Sequence, residues 1–166
     1  MIAPSRATLL LALFAAPAIA QQAPALTQPP ANTPAPPYGA PIRLASAQAL
    51  IDRALAAMRA RGFRMAVAIV EPSGELVAFA RADDTQYGSI LVAQRKASSA
   101  ARYRLATSVM EQRTQAGRIV SLANSDALPI AGGRPIVEGG RIVGAIGVSG
   151  GTAAEDDEIA GAALER

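Results

Sequence analysis

Lys96 is the only Lys in a chain that otherwise uses Arg at every basic position. The difference matters chemically, because a guanidinium is a fixed planar charge while an ammonium can shift its pKa or form a Schiff base. Beside Arg95, Lys96 also fits a plain exposed position on a helix. Glu155, Asp156, Asp157 and Glu158 run together near the C-terminus. They could hold a cation or supply paired carboxylates for acid–base work. Consecutive helical positions point round most of the circumference, however, so a solvated helix start that complements the dipole is the simpler expectation. Tyr87, Tyr103 and Met110 are of types that can ligate haem iron, though spacing singles out none of them.

What is missing narrows the chemistry further. The chain has no His and no Cys. It therefore carries no Ser-His-Asp triad, no His-bearing zinc site, no His axial ligand, no disulfide and no thiol chemistry. The net charge is +3 with no basic run, which does not suit nucleic-acid binding. Gly144-Ala145-Ile146-Gly147-Val148-Ser149-Gly150-Gly151 leads into a helix and invites comparison with phosphate loops. Its glycine spacing matches neither a dinucleotide fingerprint nor a Walker loop, and the carboxylates just after it would repel a phosphate. Gly147 and Ala145 instead predict close approach of a backbone or a flat ligand to this strand.

Positioning these residues falls to one small domain. Arg6, the apolar stretch Leu9 to Ala16 and Ala18-Ile19-Ala20 form the pattern of a secretory signal peptide over residues 1–20, with Gln21 as the first mature residue. The apolar stretch is shorter than the ~20 residues that cross a membrane, so no stable insertion is expected after cleavage. Residues 21–41, rich in Pro, Gln, Ala and Thr, predict a disordered, extended tether. Residues 42–166 have the length of one domain.

Within that domain, Ala47, Leu50, Ile51, Ala54, Leu55 and Met58 predict a helix capped by Ser46 and ended by Gly62. Met65 to Val70 and Leu76 to Ala80, around Pro72-Ser73-Gly74, predict a β-hairpin. A second helix over 89–105 has a narrow small-residue face at Ile90, Ala93, Ala97 and Ala101, and Thr107 can cap a shorter helix. Strands around Pro135 to Val137 and over 141–149 flank a Gly139-Gly140 turn. Alternation places Ile142, Gly144, Ile146 and Val148 on one face, with Val143, Ala145, Gly147 and Ser149 on the other. Thr152 and Glu155 form a capping box for a last helix.

Several of these segments form a combined pattern. Val70 to Arg81 reads VEPSGELVAFAR and is followed by Asp83, Ser89 and Ala93-Gln94-Arg95-Lys96-Ala97. Thr107, Gly132-Gly133-Arg134-Pro135-Ile136, Gly144 to Gly150, Asp156 and Ala160 complete it. In these residues the chain, from about Ser46 to Ala162, resembles the GlcG/HbpS-like haem-binding family. The same domain stands at the C-terminus of some PduO-type cobalamin adenosyltransferases. The resemblance implies an α/β (α+β) fold, an antiparallel sheet of about five strands flanked by helices, and homo-oligomers. It also implies haem or a related tetrapyrrole as ligand.

Lys96 falls on the family's Lys. With Arg134, also in a resembling segment, it is the expected cofactor-binding residue, a cation for an anionic ligand. The expected function is an exported module, periplasmic or secreted, that binds haem as a sensor or accessory protein rather than as an enzyme. The alternative is a small-molecule enzyme or enzyme subunit in 2-hydroxy acid or aldehyde metabolism, with Lys96, Arg134 and Asp156 near its pocket.

Overall fold

A computed structural model describes residues 34–165. The expected signal peptide and most of the expected tether lie outside the described residues. Strands β1 (Ala66–Val70), β2 (Leu76–Arg81), β3 (Gly133–Glu138) and β4 (Arg141–Ser149) form one antiparallel sheet in the order β2-β1-β4-β3. Helices α1 (Leu44–Ala60) and α4 (Ala153–Leu164) contribute to the apolar cluster on one face, and α2 (Gly88–Tyr103) covers the other. A short α3 (Thr107–Gln115) and a 3-10 turn (Ile119–Ala123) lie between α2 and β3. The sheet flanked by helices is the expected α+β fold, with four strands rather than about five.

The end of the expected tether is part of this body. Tyr38 makes a parallel bridge to Ile142, Gly39 N–H donates to Ile142 O at 2.8 Å, and Ile142 N–H donates to Pro37 O at 2.9 Å. β1 ends at Val70, opposite Ala145, so the 37–39 segment satisfies the β4 groups that β1 leaves unpaired. Ile42 N–H then donates to Val143 O at 2.8 Å, and the chain passes straight into α1 with Arg43 as N-cap. The helix therefore starts ahead of Ser46, because pairing to β4 sets the entry of the chain and overrides the local capping preference. Its far end is as expected: Gly62 takes φ +72°, and Phe63 N–H reaches back to Met58 O.

β1 is buried along its whole length. Ala66, Ala68 and Val70 face α2, while Val67 and Ile69 join the cluster under α1 and α4. β4 departs from simple alternation. Its pairing with β3 steps from Ile136↔Gly144 to Val137↔Ile142, leaving Val143 as the extra residue of a bulge. Val143 consequently packs with Ile146 and Val148, not with Ala145 as alternation predicts.

Gly133 and Gly147 face one another across β3 and β4, and α2 rests on both. A Cβ at Gly147 would run into the Ala93 carbonyl oxygen and stand 2.5 Å from the Ala97 nitrogen. At Gly133 a Cβ would run into the Lys96 carbonyl oxygen. The close neighbour expected of Gly147 is thus a helix backbone. Ala93, Ala97, Ala100 and Ala101 are all buried at this contact, because larger residues would lift the helix off the sheet. Thr107 supports the same place. It is the first residue of α3 rather than its cap, which is Ala106, and its hydroxyl accepts from Gly133 N–H at 2.8 Å.

Candidate functional site

Lys96 is not on an exposed helix face. It is 1% accessible, and its ammonium donates to Asp156 Oδ2 at 2.6 Å and to Val148 O at 3.2 Å. The seating of α2 on the paired glycines sends the side chain past the end of β4 to the first turn of α4. Gly132, at φ +119°, leaves the gap through which it passes: a Cβ there would lie 2.9 Å from Nζ and 2.8 Å from the Asp156 Cβ. Asp156 Oδ1 accepts from Gly151 N–H at 3.0 Å, so both carboxylate oxygens are satisfied. Burial pushes the Asp156 carboxyl above its ordinary range, and the hydrogen bonds from Lys96 and Gly151 oppose that rise.

The acidic run is a solvated, dipole-complementing helix start only in part: Glu155 and Glu158 stay accessible while Asp156 is buried, and the four do not converge on one ion. Each takes a different partner. Glu155 closes the capping box with Thr152, whose backbone N–H and hydroxyl hold the Glu155 carboxyl below its usual value. Asp157 accepts a two-pronged contact from Arg134, at 2.9 Å from Nε and 2.6 Å from Nη2. That contact raises the Arg134 pKa above its ordinary value. Glu158 pairs with Arg61 at 2.7 Å. One turn of α4 thereby ties together α2, β3 and the end of α1. Among the described residues no group of three or more acidic side chains is arranged to hold a metal ion.

Lys96 and Arg134 are thus brought to adjacent carboxylates, in different settings. Lys96 is enclosed and fully engaged, whereas the Arg134 side chain remains partly exposed. Sequence reasoning missed Asp156 as the partner of Lys96. The signal was present: Asp156, Ile159, Ala160 and Ala163 form one buried stripe, and Lys96 lies at helical spacing from Ala93 and Ala100.

Of the candidate iron ligands, Tyr103 and Met110 line one cleft of about 420 Å³ between the end of α2, α3 and the 3-10 turn. Tyr87 lies apart from it and is 82% exposed at the head of α2, with Arg81 over its ring. The Tyr103 hydroxyl accepts from Asn124 Nδ2 at 2.6 Å and donates to Asp126 at 3.4 Å. No helix among the described residues is long and apolar enough to cross a membrane.

Comparison with known proteins places this geometry. The family described as haem degrading protein HbpS-like matches residues 42–165. Protein GlcG of Escherichia coli K12 is 32% identical over 103 residues, covering 62% of this chain and 77% of GlcG. A double mutant of HbpS from Streptomyces reticuli superposes with a TM-score of 0.70 at 26% identity, over 86% of this chain and 94% of HbpS. A PduOC:heme complex shares the fold with a TM-score of 0.68 at 23% identity, over 75% of this chain and 93% of PduOC.

Removing Lys96 should expose how much rests on the buried pair. Lys96→Met leaves Asp156 buried without its counter-ion, and unfolding in denaturant should show a loss of about 3–5 kcal/mol at neutral pH. The orphaned carboxyl then titrates higher in the folded than in the unfolded chain. The folded state holds the proton more tightly, so the lost stability returns as pH falls from that raised value towards the ordinary carboxylate range. Lys96→Met with Asp156→Leu should recover most of the loss at neutral pH. Equal stability of parent and Lys96→Met would show that the pair carries little.

Proposed function

We propose that this chain, which belongs to the HbpS-like family of haem degrading proteins, is a haem-binding module that acts outside the cytoplasm as a sensor or accessory protein. The match of the family over residues 42–165, nearly all of the described residues, carries this reading. The occurrence of the fold in a PduOC:heme complex supports it. Haem, when bound, would supply a redox-active iron and a strong chromophore.

The residues present fit such a ligand in one respect that the sequence left open. Without His or Cys, iron ligation falls to other donors. Tyr103 and Met110, both of suitable type, share a cleft. Lys96 and Arg134 enter this reading as cations that fix the frame. Lys96 holds α4 against α2, while Arg134 braces β3 against α4. The enzyme alternative places Lys96 and Asp156 near its pocket, whereas the two are paired with each other in the core. Assembly into a homo-oligomer belongs to the same proposal. Tyr87, the N-cap of α2, and Leu91 in its first turn are exposed apolar surface that such an assembly would cover.

Haemin titrated into the purified protein should give a saturable shift of the Soret band, and a spectrum equal to that of free haemin would sink the reading. Export has a separate check. Mass spectrometry of protein from its native cells should find a mature N-terminus at or near Gln21, whereas an intact Met1 terminus throughout would contradict it.

A further inference from the structure

The cleft that holds Tyr103 also gathers two cations to which no acid responds. Arg113 stands in the last turn of α3 and Arg118 just beyond Gly117, which takes φ +99° and ends the helix. Arg118 N–H donates to Arg113 O at 3.0 Å, and the Thr114 and Ser121 hydroxyls lie 2.9 Å apart. These bonds hold the 3-10 turn against α3, so both Arg113 and Arg118 line one cleft. Neither makes an ion pair among the described residues, and no Asp or Glu lines the cleft. Asp126, near the Tyr103 hydroxyl, is already paired with Arg102.

Other clefts of comparable size are arranged differently. Between α1 and β3, Arg53 shares its cleft with Glu138. Between α1 and β2, Arg59, Arg64 and Arg81 share theirs with Asp83. Only in the α3 cleft, of these three, do cations meet an otherwise uncharged lining. Its walls include Leu105, Val120 and Pro129. Ile119 and Leu122 extend an exposed apolar surface along the 3-10 turn. A lining that is otherwise uncharged and partly apolar, with two cations free to pair, suits an apolar body bearing carboxylates.

We infer that the α3 cleft seats an amphiphilic anion, with Arg113 and Arg118 pairing its carboxylates and the apolar wall taking its body. The identification of that anion as haem, held by its propionate-bearing edge, rests on the function proposed above. Exposed pairs are weak individually, so the two together set affinity without either being indispensable.

Two probes separate the site from the ligand: haemin followed by absorbance, and anilinonaphthalene sulfonate followed by fluorescence. Each is titrated at low and high salt into the parent and into the double variant Arg113→Gln/Arg118→Gln. Both side chains are exposed, so the variant should melt like the parent, and circular dichroism checks this. The expected result is haemin binding weakened about five- to tenfold in the variant at low salt, with the difference shrinking at high salt. Haemin binding of equal strength in parent and variant overturns the cleft while leaving the haem reading intact. Haemin that fails to bind, with sulfonate fluorescence still lost on removing the two Arg, keeps the cleft as an anion site and ends the haem reading. Failure of both probes in the parent ends both.

Discussion

The contact between the α2 backbone and the Gly133–Gly147 pair sets the spacing on which the rest of the fold depends. Side chains normally hold a helix well clear of a sheet. Here both facing positions lack a Cβ, and the helix meets Gly147 with Ala93 and Ala97 and Gly133 with the Lys96 backbone. A single added methyl at either glycine would meet backbone rather than a movable side chain, so the helix would have to lift. Because α2 sits so low, the Lys96 side chain can travel along the sheet, through the gap at Gly132, to Asp156 on α4. A helix at ordinary distance would leave that ammonium short of its carboxylate.

The charges around α4 differ in what they can contribute. Arg61–Glu158 is exposed on both sides, and pairs of that kind are worth about 1 kcal/mol or less. Arg134–Asp157 gains from its two-pronged geometry and partial burial. Lys96–Asp156 is different in kind, since both groups are almost fully withdrawn from water. Such a pair need not make the fold more stable than an apolar replacement would, because desolvation offsets much of the attraction. Its effect is conditional: once both charges are buried, breaking the pair costs more than forming it gains, and the arrangement of α2, β4 and α4 seen here satisfies both groups. In the reading proposed above, the ligand-facing cations are Arg113 and Arg118 on the α3 cleft, both exposed to water and salt.

Much of this was legible in the residues. The glycine turn at Gly139-Gly140 takes positive φ at both positions, and the Thr152–Glu155 capping box forms as its spacing predicts. Gly147 announced a close neighbour. Local patterns failed where tertiary contacts decide. Ser46 has a good capping side chain, but pairing of Ile42 with β4 starts the helix earlier. Val143 changes face because of a bulge, which no alternation rule anticipates. Thr107 spends its hydroxyl on the β3 edge instead of on its own helix. The acidic run read as solvated because carboxylates usually are; the burial of Asp156 was not legible because its partner Lys96, like those of Asp157 and Glu158, lies far away in sequence. The α3 cleft was invisible for a different reason: its residues lie close together in sequence, within 103–129, but share no period.

A double-mutant cycle between Gly147→Ala and Asp156→Asn tests the central dependence most directly. If the glycine contact is what delivers Lys96 to Asp156, raising α2 by one methyl should already weaken the ion pair. Loss of the carboxylate should then cost less in the Gly147→Ala background. The account predicts a coupling energy of about 1 kcal/mol or more from equilibrium unfolding of the four proteins. Costs that simply add, to within about 0.3–0.5 kcal/mol, would show that the helix seat and the buried pair are independent.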